Sequence, residues 1–323
     1  MLRRRSRPDD ITLRLYYASD IHGSDLLWRK FLNAAAFYEV GTLIMGGDLC
    51  GKGLAPVVRT NGGWTLPLAG EERHVTDEAE LKELEALIRQ SGFHPRRMTA
   101  GEFERLSDAG ALEAMFEETL VESVGDWMDL ADERLRDTDV TAYVMPGNDD
   151  PWGVDRALEG HAKVVACDDR IVQIGAHELL SLGWSNPTPW HTARELEEDD
   201  LYARVKKLAD QLESPRNAIF NIHVPPYDSG LDTATELDET LKPVLIGGHP
   251  HEIPVGSTAV RQLIEEYEPV LALHGHIHES RGIVEIGRTV CINPGSNYGT
   301  GRIDGAVVAL GADRVRNKHL VNG

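Results

Sequence analysis

The sequence predicts an α/β fold, and three observations predict it. Apolar runs of strand length alternate with stretches whose apolar residues recur at helical spacing. The first three elements read strand, helix, strand with a short return, which is a βαβ unit. Polar residues able to bind a ligand collect directly after the apolar runs, where the carboxyl ends of strands in α/β sheets bind ligands.

In order, Ile11 to Ala18 alternates and reads as a strand. Ser24 to Tyr38 carries Leu26, Leu27, Phe31, Leu32 and Ala35 on one helical stripe, with Ser24 or Asp25 as N-cap. Val40 to Met45 is a second strand, ended by Gly46-Gly47. From Gly51 the character changes. Gly53 to Gly70 is punctuated by Gly and Pro, with a turn at Asn61-Gly62-Gly63-Trp64. Asp77 to Arg89 reads as a helix opened in capping-box order by Asp77 and Glu80, and Thr99 and Glu102 repeat that signal. Ala111 to Leu135 is a longer helix with Leu112, Phe116, Val124, Trp127, Ala131 and Leu135 on one stripe. Residues from about 51 to 138 are therefore expected to form a mostly helical, acidic insertion that docks on the main body by one apolar stripe per helix, suited to a substrate-side lid or an oligomer surface. Val140 to Met145 returns to strand, and short strands follow through Trp184. Ala193 to Leu212 reads as a charged amphipathic helix and Ala218 to Ile222 as a strand. Leu231 to Ser257 is irregular, Thr258 to Tyr267 helical, and Pro269 to Leu273 a strand. Gly282 to Leu310 alternates in strand fashion.

The chain of 323 residues, with 41% hydrophobic and 27% charged residues, is ordinary for a globular protein with a core of useful size. A net charge of −20 argues against coating long duplex nucleic acid or an anionic membrane, both of which reward basic patches. It does not exclude an anionic substrate, because bound dications reverse the potential of a cleft. Cys50, Cys167 and Cys291 are odd in number and widely spaced, so no disulfide framework is expected and a reducing cytoplasm is the plainer location. No segment has the length of a membrane span. The basic start, Met1 to Arg7, is followed by Pro8-Asp9-Asp10 rather than an apolar core, so a secretion leader is not expected.

The chemistry is carried by five blocks. Asp20-Ile21-His22 and His276-Ile277-His278 each hold two metal-ligand side chains two residues apart, which a strand would aim to one face. Between them lie Gly47-Asp48, Gly147-Asn148-Asp149-Asp150 and Asn221-Ile222-His223. Taken singly, each has an ordinary reading as a turn or an exposed histidine. Together, in order and at strand ends, Asp20, His22, Asp48, Asn148, His223, His276 and His278 suit two hard or borderline divalent cations around one bridging carboxylate. His249-Pro250-His251 resembles a further metal pair, but Pro breaks the strand that would align it. Tyr227 and Asp228 could line a cleft or form a turn. Arg73, His74, Arg96 and Arg97 are the basic groups of the insertion, and a solvated face is their plainer reading.

These blocks resemble those of the calcineurin-like metallophosphoesterase superfamily: Asp-x-His, Gly-Asp, Gly-Asn-His-Asp/Glu, His and Gly-His-x-His. The resemblance runs from Ile11 to about Ser296 outside the insertion, and Asn293-Pro294-Gly295-Ser296 is similar to the ending of Icc-like members. It implies a single domain over residues 1–323 with a four-layer αββα sandwich and metals at one end of the sheets. Asp20, His22 and His278 would hold one ion, Asn148, His223 and His276 a second, and Asp48 would bridge them. His274 would be structural or support the ligands. The implied activity is phosphoester hydrolysis by a bridging hydroxide between two divalent ions (manganese, iron or zinc), with Asn148 and His223 stabilising charge.

Two departures matter. Asp149 stands where the family has a His credited with helping the leaving group. A carboxyl donates a proton there only if its pKa is raised, so Asp149 is either that acid or a turn residue. Gly51 stands where purple acid phosphatases carry a Tyr ligand, so no tyrosinate–iron colour is expected. The expected substrate is a small phosphoester or short nucleotide, with a diester slightly preferred. A phosphomonoesterase or protein phosphatase of the same fold is the enzymatic rival, and a scaffold using the insertion as a partner surface is the non-enzymatic one. A homodimer through the insertion is also expected.

Overall fold

The computed structural model describes residues 11–51, 53–68, 71–90, 92–106 and 109–323, so the basic start lies outside the described residues. Two six-stranded sheets form the body. The first has the order Val315–Asn322, Asp304–Leu310, Leu13–Ala18, Thr42–Met45, Thr141–Val144, Val164–Ala166. Its last four strands run parallel, and its first two are antiparallel additions. The second has the order Gly282–Ile286, Thr289–Asn293, Leu271–Leu273, Ile219–Ile222, His177–Leu182, Arg170–Ile174. Here the four central strands are parallel and both edges antiparallel.

The alternation of side chains along a strand explains why both faces of each sheet are apolar. In Leu13–Ala18, Leu15 and Tyr17 point inward, where they pack with Ile44, Leu179, Ile219, Leu271 and Ile292 between the sheets. Tyr16 and Ala18 point outward to Trp28, Phe31, Leu120, Val124, Trp127 and Met128 on helices Asp25–Phe37 and Ala109–Leu135. The outer face of the second sheet is covered by Leu201 and Val205 of helix Glu198–Ala209 and by Val260, Leu263 and Ile264 of helix Thr258–Tyr267. Helix, sheet, sheet, helix is the expected four-layer αββα sandwich. Among the described residues no helix is long and apolar enough to cross a membrane, and Cys50, Cys167 and Cys291 are buried free thiols.

The stretch from 51 to 138 differs from the mostly helical expectation. It does carry helices Glu78–Gln90, Ala100–Arg105 and Ala109–Leu135, but also a four-stranded sheet in the order Glu71–Val75, Gly63–Leu68, Gly53–Thr60, Phe93–Thr99. Ala55, Val57, Leu66 and Val75 of that sheet pack on Leu81 and Ile88 of the helix in a small core of their own. Pro56 and Pro67 hid these strands. Each lies where its strand has a partner on one side only: Gly53–Thr60 meets Gly63–Leu68 only from Val58 to Thr60, and proline is tolerated at such edges. The long helix docks on the main body, as its single apolar stripe predicts. Trp127 stacks on Trp28 at 5.7 Å, the Trp28 indole donates to the Trp127 carbonyl at 2.9 Å, and the helix forms one layer of the body.

The helix expected from Ala193 begins only at Glu198. Between 231 and 257 the chain makes short two-stranded ribbons, Thr233–Thr235 with Glu252–Pro254 and Leu245–Ile246 with His249–Pro250.

Candidate metal centre

Five loops deliver the predicted residues to one end of the two sheets. Asp20 and His22 follow Leu13–Ala18, Asp48 follows Thr42–Met45, and Asn148 follows Thr141–Val144. His223 follows Ile219–Ile222, and His276 and His278 follow Leu271–Leu273. All five are parallel strands, so all five loops leave in one direction. Backbone bonds lace the loops together: Asp20 N donates to Gly47 O at 3.0 Å, His22 N to Asp48 O at 3.1 Å and Gly275 N to His223 O at 2.9 Å.

The convergence of Asp20 with His22 does not come from a strand face. The strand ends at Ala18, and Asp20, His22, Asp48 and His276 have φ of 58°, 40°, 49° and 65°. Non-glycine residues pay strain in this left-handed region, and such strain gathers at functional sites. The close approach of loops also demands two glycines. A Cβ on Gly147 would collide with the Asp48 carboxylate, and one on Gly275 with Ser19 and the Asp20 carboxylate.

Asp20, His22, Asp48 and His278 each bring one ligand atom into a group whose members lie within 4.8 Å of one another. His22 Nε2 lies 3.0 Å from His278 Nε2, His278 Nε2 lies 3.3 Å from Asp20 Oδ1, and His22 Nε2 lies 3.7 Å from Asp48 Oδ2. On the opposite side of Asp48, its Oδ1 lies 3.4 Å from His223 Nε2 and accepts from Asp149 N at 3.1 Å. There His276 Nδ1 meets Asn148 Oδ1 at 2.8 Å, and the His223 and His276 rings lie 5.3 Å apart. The two oxygens of Asp48 thus face two groups of donors. All seven predicted residues meet at this end of the fold.

The electrostatics fit cations. Burial alone would raise the Asp20 carboxyl, but hydrogen bonding to His278 and the charges of His223 and His278 bring it down to about 2. Asp48 is likewise held far below the carboxylate range, chiefly by His223, against burial. Burial opposes charge on His223, yet Asp48, Asp20 and the Gly46 carbonyl lift it to about 10. His276 goes the other way, down to about 4, through burial and the nearby His223. The decisive fit is at His223. Its Nδ1 meets Gly46 O at 2.8 Å, which in the neutral ring makes Nδ1 the donor and aims the Nε2 lone pair at the cluster. That Nε2 is buried and makes no hydrogen bond. A divalent cation between such carboxylates and imidazoles satisfies both.

Asp149 is 40% exposed, with Oδ2 4.0 Å from His22 Nδ1. Asp150 is a buried brace, accepting from Leu49 N at 3.0 Å, Cys50 N at 2.7 Å and Gly147 N at 2.7 Å. His274 is structural: burial and its contacts with the Ile222 and Val224 carbonyls hold it in the core. Tyr298 packs its ring 4.7 Å from His22 and 5.8 Å from His278, and a Cβ on Gly92 would touch it at 3.4 Å. The insertion therefore reaches the rim of the site at its Gly92 corner, where His94 Nε2 accepts from Gly51 N at 3.1 Å.

Other predicted candidates have partners or exposure of their own. His249 is exposed on its ribbon, and His251 pairs with Glu236 at 2.5 Å. Arg96 pairs with Glu122 and Glu118, and Arg97 with Glu78 and Glu85. The Tyr227 and Asp228 carbonyls accept from Arg261.

Sequence reasoning missed one segment, Ser185 to Leu196, which straps the Asn148 loop. Arg194, buried at 1% exposure, donates from its backbone to Asn148 O at 3.2 Å, from Nε to Asp150 O at 3.1 Å and from Nη2 to Pro151 O at 3.3 Å. Thr192 Oγ1 accepts from Asn148 Nδ2 at 2.8 Å. The signal was present as Thr192-x-x-Glu195, the capping-box spacing. Thr192 N does donate to Glu195 Oε1 at 2.7 Å, but no helix follows directly.

No family model matches the chain. An uncharacterized protein of Methanocaldococcus jannaschii, MJ1162, is 31% identical over 152 residues, 46% of this chain and 62% of that protein, so the match spans less than two thirds of that relative. Among solved structures, one superposes over 95% of this chain and 98% of its own at a TM-score of 0.56 and 16% identity. TT1561 of Thermus thermophilus does so over 96% and 99%, at 0.53 and 14%. These likenesses are of fold.

Proposed function

We propose that this protein is a metal-dependent phosphoester hydrolase with a dinuclear centre. The observation that carries the reading is the position of Asp48, whose two carboxylate oxygens face His22 at 3.7 Å and His223 at 3.4 Å. Asp20, His22 and His278 would hold one ion, Asn148, His223 and His276 the other, with Asp48 shared. When bound, two divalent ions would supply an activated hydroxide and would neutralise charge on the phosphoryl oxygens. Manganese, iron or zinc suits this donor set, and manganese is the ion we favour for assay.

The protein's own groups would do the rest. Asn148, Asp149 and His223 are the proposed catalytic residues. The Gly46 carbonyl orients His223, and His223 and Asn148 would help stabilise charge on the phosphoryl oxygens. Asp149, exposed beside His22, is the proposed proton donor to the leaving oxygen, and a turn residue is its other reading. Tyr298 and the Gly92 corner border the site on the His22 side. The substrate we propose is a small phosphoester or short nucleotide, with a diester slightly preferred by analogy with Icc-like members. We place the enzyme in the cytoplasm, consistent with its free thiols. We also propose a homodimer through the insertion, on which Phe103 and Leu112 are exposed. Sedimentation as a monomer would rule that out.

The test is metal content with activity. Protein reconstituted with manganese should hold two ions per chain and hydrolyse an activated phosphodiester, and Asp48→Asn should lose both. A wild-type chain that takes up no ion would remove the reading.

A further inference from the structure

Resting on the two-ion reading above, we propose that Thr192 and Glu195 are positioning residues that fix which atom of the Asn148 amide faces the second ion. Asn148 offers an oxygen that can bind a cation and an NH2 that cannot, and a free side chain can present either. The hydrogen bonds decide between them, and they run in one direction.

The chain of bonds begins at Glu195. Its carboxylate accepts from Thr188 Oγ1 at 2.6 Å, Thr192 N at 2.7 Å, Thr192 Oγ1 at 2.7 Å and Thr188 N at 3.1 Å. Those donors hold its pKa below the usual carboxylate value despite burial. An ionised carboxylate only accepts, so the Thr192 hydroxyl must spend its single proton on Glu195. Its oxygen is then left to accept, and the group facing it at 2.8 Å must be the Asn148 NH2. Asn148 Oδ1 is thereby turned to His276 Nδ1, 2.8 Å away. The strap that carries Thr192 and Glu195 is itself anchored by Arg194 to the carbonyls of Asn148, Asp150 and Pro151. Backbone and side chain of Asn148 are thus set by one segment. Outer groups of this kind typically tune metal affinity by about 10–100-fold.

Thr192→Val keeps the shape and removes the acceptor, Thr192→Ser keeps the hydroxyl, and Glu195→Gln removes the charge that sets the direction. Manganese would be titrated calorimetrically into each metal-free full-length protein. The Asn148 side-chain amide protons would be followed by NMR in the same metal-free samples. The expected result is one of two ions weakened about 10–100-fold in Thr192→Val, near wild-type affinity in Thr192→Ser, and an intermediate loss in Glu195→Gln. The Asn148 amide protons, protected from exchange in the wild type and in Thr192→Ser, should lose that protection in Thr192→Val. Both ions at wild-type affinity in Thr192→Val, or unchanged amide protection there, would overturn the inference. A wild type that binds no ion yet keeps the protected amide would sink the two-ion reading alone. Circular dichroism on each variant separates unfolding from loss of the site, and Thr192→Ser with Glu195→Gln still decides the matter if Thr192→Val does not fold.

Discussion

His223 Nε2 lies 3.4 Å from Asp48 Oδ1, and both side chains are buried. The pair joins the second sheet to the first at the end where all five candidate loops meet. Against burial, Asp48 and Asp20 lift the His223 imidazole to about 10, which favours its charged form when no ion is bound.

That charge sets the pH dependence of the metal-free protein. His223 holds its proton up to about 10 in the fold against about 6.5 unfolded. Its stabilisation is complete below about 6.5 and is lost as pH climbs through 10. His274 and His276 are both pushed down to about 4 by burial, so the fold resists their protonation and loses stability as pH falls from about 6.5 towards 4. Urea midpoints of the metal-free protein should therefore decline on either side of about pH 6.5, and His223→Asn should flatten the alkaline side. An alkaline decline unchanged in that variant would contradict the assignment.

Metal uptake should release protons. A histidine ligand must be neutral, and His223 near pH 7.5 is charged without an ion. Calorimetry in buffers of different ionisation heat should report about one proton released as the site fills. No release would mean that His223 does not bind.

Asp149→Ala separates the two roles open to that residue. If Asp149 protonates the leaving oxygen, hydrolysis of an alkyl diester should fall about 100-fold, while an aryl diester, whose leaving group needs no proton, should change little. Equal rates on the alkyl diester would make Asp149 a turn residue.

The long helix of the 51–138 stretch should prove part of the body. Trp127→Ala removes a ring stacked on Trp28 and buried in the core of the first sheet, and should cost about 3–5 kcal/mol of stability. A loss below about 1 kcal/mol would contradict the packing of this helix in the core.

Much of this was legible in the chain. Strands buried on both faces read as plain apolar runs, and Asp20, His22, Asp48, Asn148, His223, His276 and His278 stood out because five blocks of donors occur together, in order, at strand ends. What was hidden obeyed other physics. The insertion sheet was masked by Pro56 and Pro67, which lie where pairing is one-sided. The left-handed φ of Asp20 and His22 replaced the strand geometry that spacing suggested. Arg194 and Glu195 were absorbed into the amphipathic helix expected from Ala193, whereas the helix begins only at Glu198 and the residues before it form the strap.

The most direct measurement is hydrolysis of bis-p-nitrophenyl phosphate beside p-nitrophenyl phosphate by the manganese-reconstituted protein, with Asp48→Asn as the blank. The account predicts a rate on the diester that exceeds the monoester and falls by at least about 100-fold in Asp48→Asn. No rate on either ester from a protein holding two ions, or a rate that Asp48→Asn leaves intact, would contradict it.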